Sequence, residues 1–180
     1  MLGMAGAKSR GNQTLGDMLR SLLVLGGVLA VVAIAFNLMT TDEPRLPDRV
    51  DYQGILEFVR DEYPYRPLAP ESEPGGWRAT SVEHSQEAAG NRWRLGFLTE
   101  DRGFVGLEQS DGEIEAFRQD RLAGFAEDGT ADVGGVTWDR LIETDRSPDR
   151  ALVLVDDGVL TIVRGTESYD ALEDFASSLG

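Results

Sequence analysis

The chain of 180 residues contains no cysteine. This absence excludes disulfide bonds, thiolate catalysis, cysteine-based zinc sites and acylation of a lipoprotein-type cysteine. A folded domain of this chain must therefore be stabilised by its hydrophobic core alone, even in an oxidising compartment where other exported domains rely on disulfides.

Motifs typical of catalytic, cofactor-binding or metal-binding sites are also scarce. His84 is the only histidine, and its neighbours in residues 81–86 offer no second ligand at metal-binding spacing. The sequence has no phosphate-binding loop, no dinucleotide motif, no calcium loop and no serine in a nucleophile elbow. We therefore predict no catalytic, cofactor-binding or metal-binding residues, and we interpret His84 as a surface residue beside a strand.

Acidic and aromatic residues are frequent, but their positions have structural explanations. The acid pairs Glu127-Asp128 and Asp156-Asp157 each precede a glycine, which is typical of turns rather than of paired catalytic carboxylates. The tryptophans alternate with polar neighbours, so we expect them in the core rather than along a groove for sugar or peptide. They are Trp77, Trp93 and Trp138.

One long stretch lacks charge altogether: SLLVLGGVLAVVAIAFNLM, residues 21–39. Its apolar side chains point in all directions around a helix, and at about 1.5 Å per residue the helix would span roughly 28 Å, close to the hydrocarbon thickness of a bilayer. We predict a single-pass transmembrane helix that acts as an uncleaved signal-anchor. A cleaved signal peptide is the alternative, because Ala33-Ile34-Ala35 matches a cleavage site, but the apolar run continues past it.

The distribution of charge predicts the orientation of this helix. Residues 1–41 contain three basic residues and one acid, whereas the remainder contains 14 basic and 31 acidic residues, a net charge of −17. Basic residues favour the cytoplasmic side, so residues 1–20 are expected to form a cytoplasmic tail. After a linker at residues 40–50, the acidic residues 51–180 form the predicted extracytoplasmic domain, which should be repelled by nucleic acid.

Hydrophobic periodicity predicts that this domain is α+β, with an antiparallel sheet of about six or seven strands and helices packed on it. The last hairpin turns at Asp156-Asp157-Gly158, and its strands are apolar on both faces, which places them centrally. A second turn is expected at Gly134-Gly135, between two strands of residues 129–142. The last hairpin consists of residues 151–155 and 159–163, and the other predicted strands are residues 77–82, 92–98 and 104–108.

Three helices are predicted in the same domain. The first covers residues 51–62 and ends before Pro64. The second begins at a capping box formed by Ser110 and Glu113, and Ser168 caps the third. Because strand, acidic turn, strand and capped helix occur twice, in residues 94–122 and 151–179, a pair of β-β-α units with both helices on one face is a further expectation.

The order of these features resembles a known family. The segments PGGWRATSV, RLGFLTEDRGFVGLEQS, VGGVTWDR and ALVLVDDGVLTIVRG, which follow a basic tail and a single span, are similar to actinobacterial membrane proteins grouped as domain of unknown function family 4245. The resemblance covers roughly residues 19–179. It implies a location and an architecture, but it supplies no catalytic residue.

The sequence therefore predicts a membrane-anchored protein whose extracytoplasmic domain binds a ligand or supports an envelope assembly, without enzymatic activity. The expected partners are the lipid bilayer, through residues 21–39, and a protein of the cell envelope. The alternatives are an envelope hydrolase that uses carboxylates and a transmembrane signalling regulator. The missing catalytic constellation weighs against the hydrolase, and the short tail of residues 1–20 weighs against the regulator.

Overall fold

The protein is described by a computed structural model that covers residues 47–144 and 149–180. Residues 47–180 form one compact unit. In chain order, its elements are helix α1 (Gln53–Glu62), strands β1 (Arg78–Glu87), β2 (Gly90–Leu98) and β3 (Phe104–Ser110), helix α2 (Ile114–Arg121), strands β4 (Phe125–Val133), β5 (Val136–Glu143), β6 (Arg150–Asp156) and β7 (Val159–Gly165), and helix α3 (Tyr169–Ser177).

The seven strands form one sheet in the order β1-β2-β3-β7-β6-β5-β4. Every neighbouring pair is antiparallel. The predicted α+β class and the predicted number of strands are therefore confirmed. The last hairpin is central, as its apolar faces predicted, and its turn uses the positive φ angles of Asp157 and Gly158 that match the twist of a two-residue hairpin.

The larger core lies between one face of the sheet and helices α1 and α3. Strand β2 contributes the alternate residues Trp93, Leu95 and Phe97, which are completely buried. The helices contribute the following apolar residues from their inner stripes: Leu56, Val59, Leu172, Phe175 and Ala176. The period-two and period-3.6 patterns of the sequence thus face each other across this core.

A smaller core lies on the opposite face of the sheet, under helix α2. Phe117 and Leu122 pack there against the second faces of β5, β6 and β7, which contribute Leu141, Ala151, Val153, Leu160 and Ile162. The expectation that the helices of the two β-β-α units share one face is therefore wrong. The central strands are apolar on both faces, so each face requires its own cover, and α2 supplies the second one.

The predicted start of α2 is also wrong. Strand β3 continues through Ser110, and the helix begins at Ile114 without a side-chain cap. Asp111 is instead held by Asn91, whose backbone N–H and side-chain Nδ2 donate to its carboxylate at 2.6 and 2.8 Å. The capping box does not form because its serine is occupied by strand pairing. By contrast, Ser168 caps α3 as predicted, and its Oγ accepts from the N–H of Ala171 at 3.3 Å.

Of two smaller predictions, one differs from the structure and one is confirmed. The acid pair Glu127-Asp128 lies within β4, where Gly129 has a φ of 92° and the register shifts, so the acids mark a β-bulge rather than a turn. Gly134-Gly135 does form the predicted turn, with positive φ at both residues.

The predicted membrane helix does not belong to the part of the chain that the structure describes. Within residues 47–144 and 149–180, no helix has the length and apolar character needed to cross a membrane. The predicted span at residues 21–39, the cleavage alternative at Ala33-Ile34-Ala35 and the basic tail at residues 1–20 all lie outside the described residues.

Candidate functional site

The second face of strands β2 and β3 is polar. Side chains alternate along a strand, so Arg92 and Arg94 lie opposite the buried Trp93. In the antiparallel register, Arg94 is the direct partner of Glu108 on β3. Pairs directly across a ladder lie on the same face of the sheet, so an arginine and a glutamate meet on the face that α2 approaches.

Glu108 is the most deeply buried acid of the described residues, with only 3 % of its side chain exposed. Its Oε1 lies 3.5 Å from Nε of Arg94 and 3.5 Å from Nε of Arg164, and its Oε2 lies 3.0 Å from Nε of Arg121. These arginines come from β2, β7 and the end of α2. A carboxylate removed from water needs such compensation, since an unpaired buried charge is very unfavourable.

Two of the arginines in this region also contact an aromatic ring. The guanidinium carbons of Arg92 and Arg121 lie 5.5 and 5.4 Å from the centre of the Phe117 ring, within the range of cation–π attraction. The Nε of Arg121 is buried and donates no hydrogen bond to the residues that the structure describes, so its contact with Glu108 is an ion pair without good N–H alignment. The Phe117 ring therefore contacts two guanidinium groups, of which that of Arg121 also pairs with Glu108.

A cavity of about 150 Å³ lies between these groups. It is lined by the paired segments 83–85 and 92–94, by Glu108, and by Phe117 and Arg121 of α2. This volume holds about five groups of the size of water, enough for a carboxylate or a phosphate group. We call it the arginine cavity.

The charge of the arginine cavity is opposite to that of the domain around it. Arg92, Arg94 and Arg121 face two carboxylates, Glu83 and Glu108, which leaves an excess of one positive charge. Arg92 has no carboxylate within 4.0 Å among the residues that the structure describes, whereas Arg94 lies 3.5 Å from both acids. A surplus guanidinium in a strongly acidic domain is a local electrostatic feature that average composition does not show.

The carboxylates of Glu83 and Glu108 are not arranged for general acid–base catalysis. Both oxygens of Glu108 are engaged with guanidinium groups, and Arg94 stands between Glu108 and Glu83. A catalytic carboxylate must instead reach the proton that it transfers. The arrangement can hold an anion, since guanidinium groups bind carboxylate and phosphate oxygens in a planar fork.

His84 is exposed, as predicted, but it lies within β1 rather than beside a strand. The strand borders the arginine cavity at His84, but the imidazole ring lies on the other face of the sheet. Its centre is 6.1 Å from the centre of the Phe58 ring. No group of three potential metal ligands occurs within residues 47–144 and 149–180.

The tryptophans divide between core and surface. Trp93 and Trp138 are buried, as predicted. Trp93 is also anchored, since its Nε1 donates to the carbonyl of Leu68 at 2.8 Å. Trp77 is only half-buried, so the prediction of a core position is met in part, and its ring borders a second cavity.

The residues of the arginine cavity were not predicted as a site. The sequence pattern that could have indicated them is the segment RWRL, in which arginines alternate with apolar residues. The acid that pairs with the second of these arginines is Glu108, in the segment VGLEQS of the next strand. Such alternation normally indicates a solvated face. Only the placement of α2 over that face shows that Glu108 is buried and that the arginines converge on it.

Comparison with known proteins identifies the family of the chain. Residues 10–179 match the family described as "Protein of unknown function (DUF4245)". The chain therefore belongs to this family. No curated protein and no solved structure matches the chain.

Proposed function

We propose that this member of the family is a single-pass membrane protein whose domain lies outside the cytoplasm and binds an anionic group of an envelope partner in the arginine cavity. The observation that carries the binding proposal is the excess guanidinium charge at this cavity, between Arg92, Arg94 and Arg121. The anchoring proposal is supported by the uncharged residues 21–39 and by the basic residues that precede them.

Arg92 is the residue best placed to receive the ligand. Arg94 and Arg121 each contact Glu108 and are needed to compensate its charge. Arg92 contacts the ring of Phe117 and has no acid within ion-pair distance among the described residues, so its guanidinium keeps its capacity for a bidentate anion. A carboxylate side chain of a partner protein and a phosphate group both have this chemistry.

The acidic character of the domain adds selectivity. Its net negative charge repels anions in general, so a ligand must approach the arginine cavity closely to experience the local positive potential. We therefore infer that the partner presents its anionic group on a structure that also makes uncharged contacts around the cavity rim.

The binding proposal is tested with the full chain in detergent micelles, using sodium phosphate and sodium acetate as probes at constant ionic strength. Calorimetric titration should detect binding of at least one probe at millimolar concentration. Since loss of a charge-assisted contact costs roughly 1.5–3 kcal/mol, Arg92→Gln should weaken this binding by about tenfold or more.

The matched control is Arg66→Gln, which removes the same charge from an exposed position that does not line the arginine cavity. It should leave the binding of phosphate and acetate unchanged. Equal weakening by the two variants would show only a general charge effect, and absence of any binding to the unmodified chain would overturn the proposal.

A further inference from the structure

A second cavity lies next to α3, beside the larger core. Its volume is about 480 Å³, within the range of small-ligand sites. Its lining includes Glu73 and Trp77 from the loop before β1, and Asp174 and Phe175 from α3. We call it the tryptophan cavity.

The loop holds the Trp77 ring in a defined place. The N–H of Trp77 donates to the carbonyl of Pro74 at 2.9 Å, which closes a tight turn. Gly76 has a φ of 76°, and a Cβ at this residue would lie 2.9 Å from the carboxylate of Glu100, so the turn requires glycine. The indole then stacks on Phe175, with 5.5 Å between ring centres and 17° between planes. The aromatic wall of the tryptophan cavity is therefore preformed.

The charge beside this wall is negative. Glu73 is already engaged, since its Oε2 lies 2.7 Å from Arg49 and its Oε1 accepts from the N–H of Ala79 at 3.2 Å. Asp174 is exposed, and no basic group of the described residues lies within 4.0 Å of its carboxylate. None of the described residues that line the tryptophan cavity is basic.

From these contacts we infer that the tryptophan cavity binds an organic cation, with its ammonium group between the Trp77 ring and the Asp174 carboxylate. Indole is the aromatic side chain that attracts cations most strongly, and a carboxylate next to it provides the counter-charge. A neutral sugar could also stack on indole, but it gains nothing from the negative charge, whereas a cation gains from both partners. An anion is excluded by the carboxylates.

This site is independent of the arginine cavity. The tryptophan cavity adjoins the larger core, and the arginine cavity lies on the face of the sheet that α2 covers. The two cavities share no lining residue, and their charges are opposite. An experiment that detects no anion binding would therefore not contradict the cation site. An experiment that detects no cation binding would likewise not contradict the anion site.

Choline and its neutral isostere 3,3-dimethylbutan-1-ol test the inference on the full chain in a polyoxyethylene detergent. The two probes have the same shape and differ only in the charge of the head group. We expect choline to change the tryptophan emission, because Trp77 is accessible while Trp93 and Trp138 are buried. In calorimetric titration, choline should bind at least tenfold more tightly than the isostere.

Asp174→Asn should weaken choline binding by about fivefold or more without changing binding of the isostere. Asp170→Asn is the matched control, because it removes the same charge from the exposed surface of α3 at a residue that does not line the tryptophan cavity. Both positions are exposed, so neither variant should prevent folding. Equal affinity for choline and the isostere, equal effects of the two variants, or binding of cellobiose without binding of choline would each overturn the inference.

Discussion

The Nε of Arg121 lies 3.0 Å from Oε2 of Glu108, and this ion pair joins the end of α2 to the middle of β3. The same carboxylate contacts Arg94 on β2 and Arg164 on β7. One buried acid thus organises basic side chains from three other elements, and it couples the arginine cavity to the stability of the fold.

The first prediction concerns this acid. Glu108→Gln keeps the shape of the side chain but removes the buried negative charge that Arg94, Arg121 and Arg164 share. Breaking a buried pair costs about 3–5 kcal/mol, but these arginines are about a quarter to a third exposed, so solvent screening reduces the expected loss to about 1–3 kcal/mol. Urea unfolding of the full chain in detergent, followed by near-ultraviolet circular dichroism, measures the loss.

The control for Glu108 is Asp120→Asn. Asp120 also lies near Arg121, at 3.6 Å, but its side chain is 68 % exposed. Exposed ion pairs contribute little, so the change should stay within about 0.5 kcal/mol. If the two variants were equally stable, Glu108 would not organise the interface between α2 and the sheet.

The second prediction concerns topology and uses the absence of cysteine. Thr137→Cys places one thiol at an exposed position of β5, and Ser9→Cys places one in the predicted tail. In intact cells, a membrane-impermeant maleimide should label Thr137→Cys and not Ser9→Cys, whereas both should react after permeabilisation. The opposite pattern would reverse the predicted orientation, and loss of residue 9 from the mature chain would establish cleavage.

The sequence predicted elements wherever one local pattern determined them. The alternation of Trp93, Leu95 and Phe97 identified a strand and its buried face, and Asp156-Asp157-Gly158 identified a hairpin turn. Ser168 identified the start of the last helix. In each case the backbone requirement and the side chain that meets it lie within a few residues.

The failures arise where a distant element changes the environment of a residue. Ser110 and Glu113 match a capping box, but pairing of β3 with β7 keeps Ser110 in the sheet. Glu108 alternates with apolar residues as a solvent-facing acid would, yet α2 covers it. Val136 shares a face of β5 with the buried Trp138, yet it is 46 % exposed because it begins the strand, next to the Gly134-Gly135 turn.

The third prediction compares two glycines. A Cβ at Gly165 would lie 2.0 Å from the carbonyl oxygen of Phe104, in the pairing of β7 with β3, so Gly165→Ala should destabilise the fold by about 2 kcal/mol or more. Gly54 is exposed in α1 with no atom near such a Cβ, so Gly54→Ala should stabilise the fold by about 0.5–1 kcal/mol. Urea midpoints should shift in opposite directions, and a shift of the same sign in both would contradict this packing.

The fourth prediction concerns alkaline pH. The Tyr169 hydroxyl donates to the carboxylate of Asp128 at 2.8 Å and lies 3.0 Å from the carbonyl oxygen of Leu141. Burial, followed by the hydrogen bond to Asp128 and the charge of Asp128, raises the pKa of Tyr169 to about 12 from the model-compound value of 10.0. The folded state therefore favours the protonated phenol. Its contribution to stability is complete below pH 10 and is lost as the pH rises towards 12.

Tyr169→Phe tests this prediction. Burial also raises the pKa values of Tyr52, Tyr63 and Tyr65, so the unmodified chain should lose stability in alkali through several residues. The variant should lose about 1 kcal/mol less between pH 10 and pH 12, since the half-buried ring reduces the full effect. Absorbance at about 295 nm should also show one phenolate fewer near pH 12. Identical pH profiles would contradict the assignment.

The strand order has a consequence for how the chain folds. Strands β1 to β3 are neighbours both in sequence and in the sheet, and so are β4 to β7, so each half assembles through local hairpins. Among the strands that the structure describes, the pairing of β3 with β7 joins the halves, and closing this ladder requires ordering the chain between them. Two buried contacts cross this junction, Glu108 with Arg164 and the Gln109 amide with the Thr161 hydroxyl. We therefore expect closure of this junction to limit the rate of folding, so substitutions there should alter the refolding rate more than substitutions within either half.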